Sequence, residues 1–233
     1  MINRMILCIE TSTTICSVAL CHHGEFIDKK ESSEGKSHSS LLTVFIEDIL
    51  KEAGIEAGNL DAVAVSKGPG SYTGLRIGVS AAKGIAYAAE IPLIALATTG
   101  LMYHGAKTRG EYDYYCPLID ARRMEVYTAV YDRKGNEIEG ISAEIIKENS
   151  FAGILERGSV LFFGDGAAKC RSTIDHPSAF FDEAFHVSSE YMCKPALEAF
   201  NKKKFEDVAY FEPFYLKDFI ATIPKKNILG RSK

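Results

Sequence analysis

The sequence predicts an α/β protein of two duplicated lobes, each a mixed β-sheet flanked by helices. Short apolar runs alternate with amphipathic helical segments, as in α/β folds. Ile9-Glu10 recurs 110 positions later as Ile119-Asp120, and Ala19-Leu20 recurs at the same offset as Ala129-Val130. Each half also starts with an apolar strand that ends in an acid, followed by a polar turn, a second strand, a glycine turn and a third strand. Such an internal repeat indicates duplicated architecture.

The composition is that of a globular protein with room for a sizeable core. The 233 residues are 46% hydrophobic and 25% charged. A formal net charge of −4 argues against a general nucleic-acid binder, which normally carries a basic excess. The apolar N-terminal run is too short for a signal peptide, and Glu90 and Pro92 interrupt the longest apolar region. We therefore expect a cytoplasmic protein with no membrane span.

Cysteines and histidines show no metal-binding or disulfide pattern. No Cys-x-x-Cys pair occurs, so we expect six reduced, core-forming cysteines: Cys8, Cys16, Cys21, Cys116, Cys170 and Cys193. No two histidines stand at the i, i+3 or i, i+4 spacing that places two ligands on one helical face. We therefore expect no metal site at His22, His23, His38, His104, His176 or His186.

The first half contains five predicted strands and two predicted helices. Apolar runs bounded by turn residues define the strands, and a broad apolar stripe ending near Gly54 defines the first helix. The predicted strands are 5–10, 16–21, 25–31, 62–66 and 92–97, and the predicted helices are 39–53 and 72–89.

The helix at 72–89 has almost no polar face. Its charged side chains are Arg76 and Lys83. Small residues recur at every fourth position along one line, at Gly74, Gly78, Ala82 and Ala86. A small-residue line lets another helix approach closely, and a helix that is apolar all round must be covered on several sides. We therefore expect a partner to bury this helix together with the helix at 39–53.

The second half repeats the strand pattern. We predict strands at 114–120, 125–132, 137–145 and 160–164, and helices at 167–174 and 190–203. The first lobe is assigned to 1–106 and the second to 107–216, with the helix at 190–203 as a segment that could pack back on the first lobe. The residues 217–233 form a basic tail that we expect to be mobile.

Polar residues at strand ends are the candidate cofactor site. Glu10 and Asp120 end equivalent strands, where two acids could hold magnesium with phosphate oxygens; alternatively, each acid orients its own hairpin. The turn Gly164-Asp165-Gly166 would complete a phosphate site. Gly68-Pro69-Gly70 before a helix could hold an anion or could be a turn in which two backbones come close.

Two further motifs allow alternative interpretations. Arg122-Arg123 could meet phosphate or an acidic partner, or could be solvated turn residues. Gly35-Lys36-Ser37 resembles the end of a P-loop, but Lys30 stands where that motif requires its first glycine. With no Gly-x-Ser-x-Gly elbow either, we assign no catalytic residue.

Five motifs together indicate a family. The most specific is SKGPGSYTGLRIGVSAAKGIA at 66–86. The others are Ile9-Glu10-Thr11-Ser12, DARRMEVY at 120–127, Gly164-Asp165-Gly166 and Glu212-Pro213-Phe214-Tyr215-Leu216. In this order, and over nearly the whole chain, they resemble the TsaB family of bacterial tRNA threonylcarbamoyladenosine biosynthesis proteins, also called YeaZ and once labelled glycoproteases.

The resemblance implies an actin-like, sugar-kinase-like (ribonuclease H-like) fold and two partners. One is TsaD, which is similar in fold and transfers a threonylcarbamoyl group to an adenosine beside the tRNA anticodon. TsaD-type proteins carry a His-x-x-x-His metal motif that this sequence lacks, so the resemblance implies a non-catalytic partner or activator. The other is the small ATPase TsaE. This chain is expected to need no cofactor, with ATP or ADP and magnesium only in the complex, and to meet tRNA only there.

The resemblance also implies an interface. The two first-lobe helices of TsaB-like proteins pair with their TsaD counterparts, which predicts contacts from Leu42, Phe45, Ile46, Ile49, Tyr72, Leu75, Val79, Ala82 and Ala86. Without TsaD, a homodimer would cover the same face. Two rival functions are an ATP-dependent phosphotransferase using Glu10, Asp120 and the 164–166 turn, and a tRNA-binding module using Arg122-Arg123 and the basic tail.

Overall fold

Two five-stranded sheets of the same topology organise the protein. The computed structural model describes residues 4–34 and 38–217. In the first sheet the order is β3-β2-β1-β4-β5, with β1 (Met5–Glu10), β2 (Cys16–His22), β3 (Glu25–Ser32), β4 (Ala62–Gly68) and β5 (Leu93–Ala97). In the second it is β8-β7-β6-β9-β10, with β6 (Tyr114–Asp120), β7 (Glu125–Asp132), β8 (Glu137–Ile145), β9 (Val160–Phe163) and β10 (Ala179–Asp182).

The strand pairing confirms the duplication. In each sheet the central strand pairs antiparallel with the strand that follows it and parallel with a later strand. The outer pairs repeat this, antiparallel on one side and parallel on the other. Because β1 and β6 are covered on both faces, their sequences are continuous apolar runs rather than alternating ones.

In the described part of the chain, six helices cover the sheets. They are α1 (His38–Glu52), α2 (Tyr72–Ala89), α3 (Thr98–Ala106), α4 (Ala152–Leu155), α5 (Ala167–Arg171) and α6 (Cys193–Asn201), with 3₁₀ turns at Ala57–Asn59 and Ser189–Met192. Helices α1 and α2 pack on one face of the first sheet, and α6 packs on the other. Helices α4 and α5 cover the second sheet. Among the described helices, none is long and apolar enough to cross a bilayer.

Helix α3, which the sequence did not predict, joins the two lobes. Leu101 belongs to the core of the first sheet, whereas Met102, Tyr103 and Ala106 belong to the core of the second. A helix covered on both sides needs no polar stripe, so α3 lacks the periodicity that reveals an amphipathic helix. The elements α4 and β10 were also missed, because four residues each are too few to show a period.

The chain returns to the first lobe at its C-terminal end. Met192, Cys193, Ala196 and Ala199 pack on the first sheet, which confirms that this helix packs back. Residues 205–217, here called the strap, continue along that lobe: the Glu206 N–H donates to the Leu93 carbonyl at 2.9 Å, and the Phe214 N–H donates to the Lys67 carbonyl at 2.7 Å.

The end of the second lobe therefore moves. The assignment of residues up to 216 to the second lobe is wrong from residue 189 onwards, because that segment lies on the first sheet. Of the tail at 217–233 only Lys217 is described. The predicted mobility of the remainder, and the motif Gly35-Lys36-Ser37, lie outside the described residues.

A disulfide fastens the returning helix to the first sheet. Cys21 of β2 and Cys193 of α6 are bonded across 172 positions of sequence. The prediction of six reduced cysteines is therefore wrong for this pair, while Cys8, Cys16, Cys116 and Cys170 are buried free thiols. The pairing depends on where α6 packs, and cysteine spacing in the sequence carries no information about that.

Reducing the Cys21–Cys193 bond is expected to lower the free energy of unfolding by about 2–5 kcal/mol, because the bond restricts a long loop in the unfolded chain. Thiol titration establishes the starting redox state, and urea unfolding with and without reductant gives the change. In the control variant Cys21→Ala/Cys193→Ala, reductant should leave the midpoint unchanged. Equal midpoints for the oxidised and reduced wild-type protein would contradict the prediction.

Candidate functional site

The strap brings the two candidate regions to one edge of the molecule. The Tyr215 ring packs against the Tyr72 ring at the start of α2, with ring centroids 4.9 Å apart. Two residues later, Lys217 pairs with Glu125 at the start of β7. Two residues span at most about 7 Å. The strap therefore connects the start of α2 in the first lobe to the start of β7 in the second.

Glu10 is fully buried and orients its own turn. Its Oε1 accepts hydrogen bonds from the Ser12 N–H at 2.5 Å and from the Ser66 hydroxyl at 3.1 Å, whereas its Oε2 is buried without a partner. Burial raises the pKa of Glu10, and the hydrogen bonds from Ser12 and Ser66 oppose that rise. The carboxyl group thus ties the β1–β2 turn to β4, which is the structural alternative considered for it.

The other four predicted cofactor residues come together in the second lobe. The Asp120 N–H donates to Asp165 Oδ1 at 2.9 Å, while Asp120 Oδ1 accepts from the Arg122 N–H and pairs with the Lys169 ammonium. Burial and the nearby Asp120 charge raise the pKa of Asp165. The Lys169 ammonium group therefore occupies the position at Asp120 where the sequence allows a magnesium ion.

Gly164 and Gly166 are required by close packing. A Cβ at Gly164 would lie 2.6 Å from the Leu118 carbonyl oxygen, and one at Gly166 would lie 3.0 Å from the same atom. Gly164 also has a φ of +111°, which side chains disfavour. No described contact joins Glu10 to this group, and no cluster of three metal-ligating side chains occurs among residues 4–34 and 38–217. The structure thus splits the predicted five-residue site between two lobes.

The glycine line of α2 faces the protein's own β1–β2 turn. A Cβ at Gly74 would collide with the Thr11 carbonyl oxygen, and one at Gly78 would collide with the Thr11 hydroxyl. The Thr11 hydroxyl donates to the Gly74 carbonyl at 2.8 Å, and the Ser71 N–H donates to the Ser12 carbonyl at 2.6 Å. The prediction that this line meets a partner helix is therefore wrong, and Gly68-Pro69-Gly70 is a close-packed turn.

Most of the predicted interface residues belong to the first lobe's own core. Seven are at most 9% exposed, because they point at the first sheet: Leu42, Ile46, Ile49, Leu75, Val79, Ala82 and Ala86. Their assignment as partner contacts is wrong. Phe45 and Tyr72 are half-buried and stay candidates. A helical stripe identifies an apolar face, but it does not say whether that face meets the same chain or another one.

A different face of α1 and α2 is open. On α2 the exposed residues Ser80, Gly84 and Ala88 form a second small-residue line, and a Cβ at Gly84 would meet nothing within 4 Å. On α1, Val44 is 45% exposed. Half-buried apolar residues lie alongside on both helices. The outer helical surface, as we call it, comprises Leu41, Val44, Phe45, Ile77, Ser80, Ala81, Gly84, Ile85 and Ala88.

The two charged residues of α2 hold the strap. Lys83 Nζ donates to the Phe211 carbonyl at 2.9 Å and to the Ala209 carbonyl at 3.2 Å. Arg76 Nε donates to the Tyr215 hydroxyl at 3.2 Å, and its guanidinium group lies over the Tyr72 ring. The isolated charges were visible in the sequence, but their partners lie more than 120 positions away.

Arg122 and Arg123 occupy strained positions in the β6–β7 turn. Their φ angles are +70° and +51°, in the left-handed region. For residues other than Gly this conformation costs roughly 1 kcal/mol each. Both residues are exposed, and their side chains make no hydrogen bond or ion pair within the described part of the chain.

Comparison with known proteins identifies relatives of both sequence and fold. The family model of TsaD, tRNA N6-adenosine threonylcarbamoyltransferase, matches residues 32–225. The chain is 38% identical over 133 residues to the tRNA threonylcarbamoyladenosine biosynthesis protein TsaB of Escherichia coli K12, covering 57% of each chain. It is 33% identical over 136 residues to TsaB of Bacillus subtilis 168, covering 58% of each. The matched part therefore spans little more than half the length of these relatives.

Two further comparisons add to this. A tRNA N6-adenosine threonylcarbamoyltransferase of Bacillus thuringiensis Al Hakam is 38% identical over 110 residues, covering 40% of this chain and 32% of that protein. Among solved structures, YeaZ from Pseudomonas aeruginosa is similar with a TM-score of 0.79 at 25% identity, covering 91% of this chain and all of the other. A second Pseudomonas aeruginosa structure, described as similar to peptidase YEAZ, has a TM-score of 0.82 at 24% identity, covering 92% and 100%.

Gly74→Ala is expected to lower the free energy of unfolding by about 1–3 kcal/mol, because the new methyl group would collide with a backbone carbonyl that cannot rotate away. The matched control is Gly84→Ala in the same helix, which meets open space and should stabilise the protein by up to about 1 kcal/mol. Urea unfolding of both variants measures the difference. Equal effects would show that the packing of α2 on Thr11 is wrongly described.

Glu10→Gln is expected to flatten the pH dependence of stability. Because the folded pKa of Glu10 is raised, its contribution is full below the unfolded value of about 4.3 and is lost as pH rises through the folded pKa. The variant keeps an uncharged oxygen acceptor, so it should be more stable than wild type at pH 8 and match it near pH 4. Urea midpoints between pH 4 and 8 test this.

The exposed carboxylate of Glu148 provides the control for that measurement, and Glu148→Gln should follow the wild-type profile. If the stability of Glu10→Gln changed with pH in parallel with that of wild type, the raised pKa of Glu10 in the folded protein would be refuted.

Proposed function

Because the chain belongs to the TsaD family of tRNA N6-adenosine threonylcarbamoyltransferases and is similar to TsaB (YeaZ) proteins, we propose that it is the non-catalytic partner subunit of a TsaD–TsaB–TsaE complex. That complex makes threonylcarbamoyladenosine in tRNA next to the anticodon. The observation that carries the proposal is the outer helical surface, which the chain's own core leaves open.

The outer helical surface has the properties of a helix-packing interface. A partner helix can approach the α2 backbone closely at Ser80, Gly84 and Ala88, because these residues have small side chains or none. Val44, together with its half-buried neighbours, supplies apolar area. Two helices from TsaD would pack there and form a four-helix interface, a specific contact that typically buries about 1,600 Å².

The polar residues at the strand ends support a non-catalytic role. Glu10 is used to orient the β1–β2 turn, and Asp120 is paired with Lys169. Gly164 and Gly166 serve close packing. An ATP-dependent phosphotransferase would need these groups free and assembled, so the observations favour the partner subunit over that alternative.

The remaining parts of the proposal follow from the same role. The chain needs no cofactor of its own, and ATP or ADP with magnesium enters with the complex. It meets TsaE and tRNA only in the assembled complex, in the cytoplasm. Without TsaD, a second copy covers the outer helical surface and forms a homodimer that TsaD displaces.

Gly84→Glu is expected to weaken binding to TsaD at least tenfold, because it places a carboxylate in a close helix contact without disturbing the free chain. The matched control is Gly153→Glu on α4, an exposed helical glycine that also meets nothing within 4 Å. Isothermal titration of each purified variant with TsaD gives the affinities, and unfolding curves establish that both variants are folded.

Wild-type affinity of Gly84→Glu for TsaD would overturn the proposed interface. The same variant should be monomeric by light scattering at concentrations where wild type and Gly153→Glu are dimeric. A wild-type chain that is monomeric at all concentrations would overturn the homodimer.

A further inference from the structure

The geometry points to the β6–β7 turn as a contact for the phosphodiester backbone of tRNA: we propose that Arg122 and Arg123 bind RNA phosphates. This inference rests on the proposed function, since it assumes that the chain sits in a complex that handles tRNA. It assigns a nucleic-acid contact to a chain whose net charge of −4 does not suggest one.

The charge on this turn is not neutralised by its neighbours. Asp120, immediately before the turn, is paired with Lys169, and Glu125, immediately after it, is paired with Lys217. The Asp165 carboxylate accepts the Asp120 N–H. With the two lysines, Arg122 and Arg123 make four cations against the three local acids, so the turn keeps an excess positive charge, and both arginines are exposed.

The backbone conformation argues that these arginines do not serve stability. Two successive residues with positive φ are accommodated best by Gly or Asn. The chain instead carries two long cationic side chains there, without partners among the described residues. Strain of this kind persists at functional sites, where the side chain is needed for another purpose. Guanidinium groups match phosphate oxygens through two parallel hydrogen bonds.

The strap also connects this turn to the helices of the first lobe. The strap joins Tyr72, at the start of α2, to Glu125 within three residues of its own sequence, Tyr215 to Lys217. The arginines are therefore at the margin of the helix pair that we propose binds TsaD. Because the whole chain is acidic, long-range attraction cannot hold RNA, and a local cationic contact has to do so.

The test compares three full complexes assembled with TsaD and TsaE. They contain the wild-type chain, Arg122→Gly/Arg123→Gly, or Arg122→Lys/Arg123→Lys. Fluorescence anisotropy with labelled tRNA measures affinity between 50 and 200 mM salt. We expect the glycine variant to bind tRNA about fivefold or more weakly, with a salt slope reduced by roughly 1–2, as for the loss of one or two phosphate contacts. The lysine variant should keep most of the slope.

The glycine variant should bind tRNA more weakly without becoming less stable. The glycine variant should unfold at the same or higher urea concentration than wild type, since it relieves two positive-φ positions. Weaker tRNA binding together with unchanged or increased stability supports the inference, because a structural role would lower both.

Other outcomes overturn it. Unchanged tRNA affinity and salt slope in the glycine variant exclude an RNA contact. Loss of TsaD binding by the glycine variant alone assigns the turn to an acidic protein surface instead. ATP binding by the free wild-type chain but not by the glycine variant assigns it to nucleotide phosphate. Failure of the wild-type chain to bind TsaD refutes the proposed function itself, which is a separate result.

Discussion

The close contact between α2 and the β1–β2 turn is the constraint on which the first lobe depends. Gly70, Gly74 and Gly78 carry no side chain because Thr11 and Ser12 occupy the space where a Cβ would lie. The contact is backbone against backbone, and dense packing leaves it no room to slip. It sets the rotation of α2 about its axis. That rotation in turn directs Leu75, Val79 and Ala82 into the core and leaves Ser80, Gly84 and Ala88 outside.

The two lobes share elements rather than meeting across a simple boundary. Helix α3 contributes Leu101 to one core and Met102 to the other, while the strap carries the chain from the first sheet to Glu125 of the second lobe. The disulfide at Cys193 anchors the start of that return path. A displacement of the second lobe would therefore be transmitted to α2 through Tyr215 and through the contacts that Arg76 and Lys83 make with the strap.

The duplicated strand ends have diverged in chemistry while keeping their place in the fold. Glu10 is enclosed and hydrogen-bonded to a hydroxyl and a backbone N–H, whereas its counterpart Asp120 is exposed and paired with Lys169. Both acids now organise the turn that follows them. The second-lobe turn presents its arginines to solvent, and the first-lobe turn is sealed by α2. Duplication thus supplied one architecture for a lobe that we propose binds partner helices and, by our inference, for an RNA-contacting turn.

Local pattern was enough to predict most strands, the two long helices and the internal repeat. Apolar runs and their turn residues are set by which segments must leave water, and the helical apolar pattern extends over several turns in both α1 and α2, which is long enough to recognise. Helix α3 was not predicted, because it is covered on both sides and has no polar stripe. The sequence also placed Glu10, Asp120 and the arginine pair at turns. Only the tertiary structure decided which face of α2 is free, which cysteines meet and which charges find partners, because each depends on contacts between residues that are far apart in the chain.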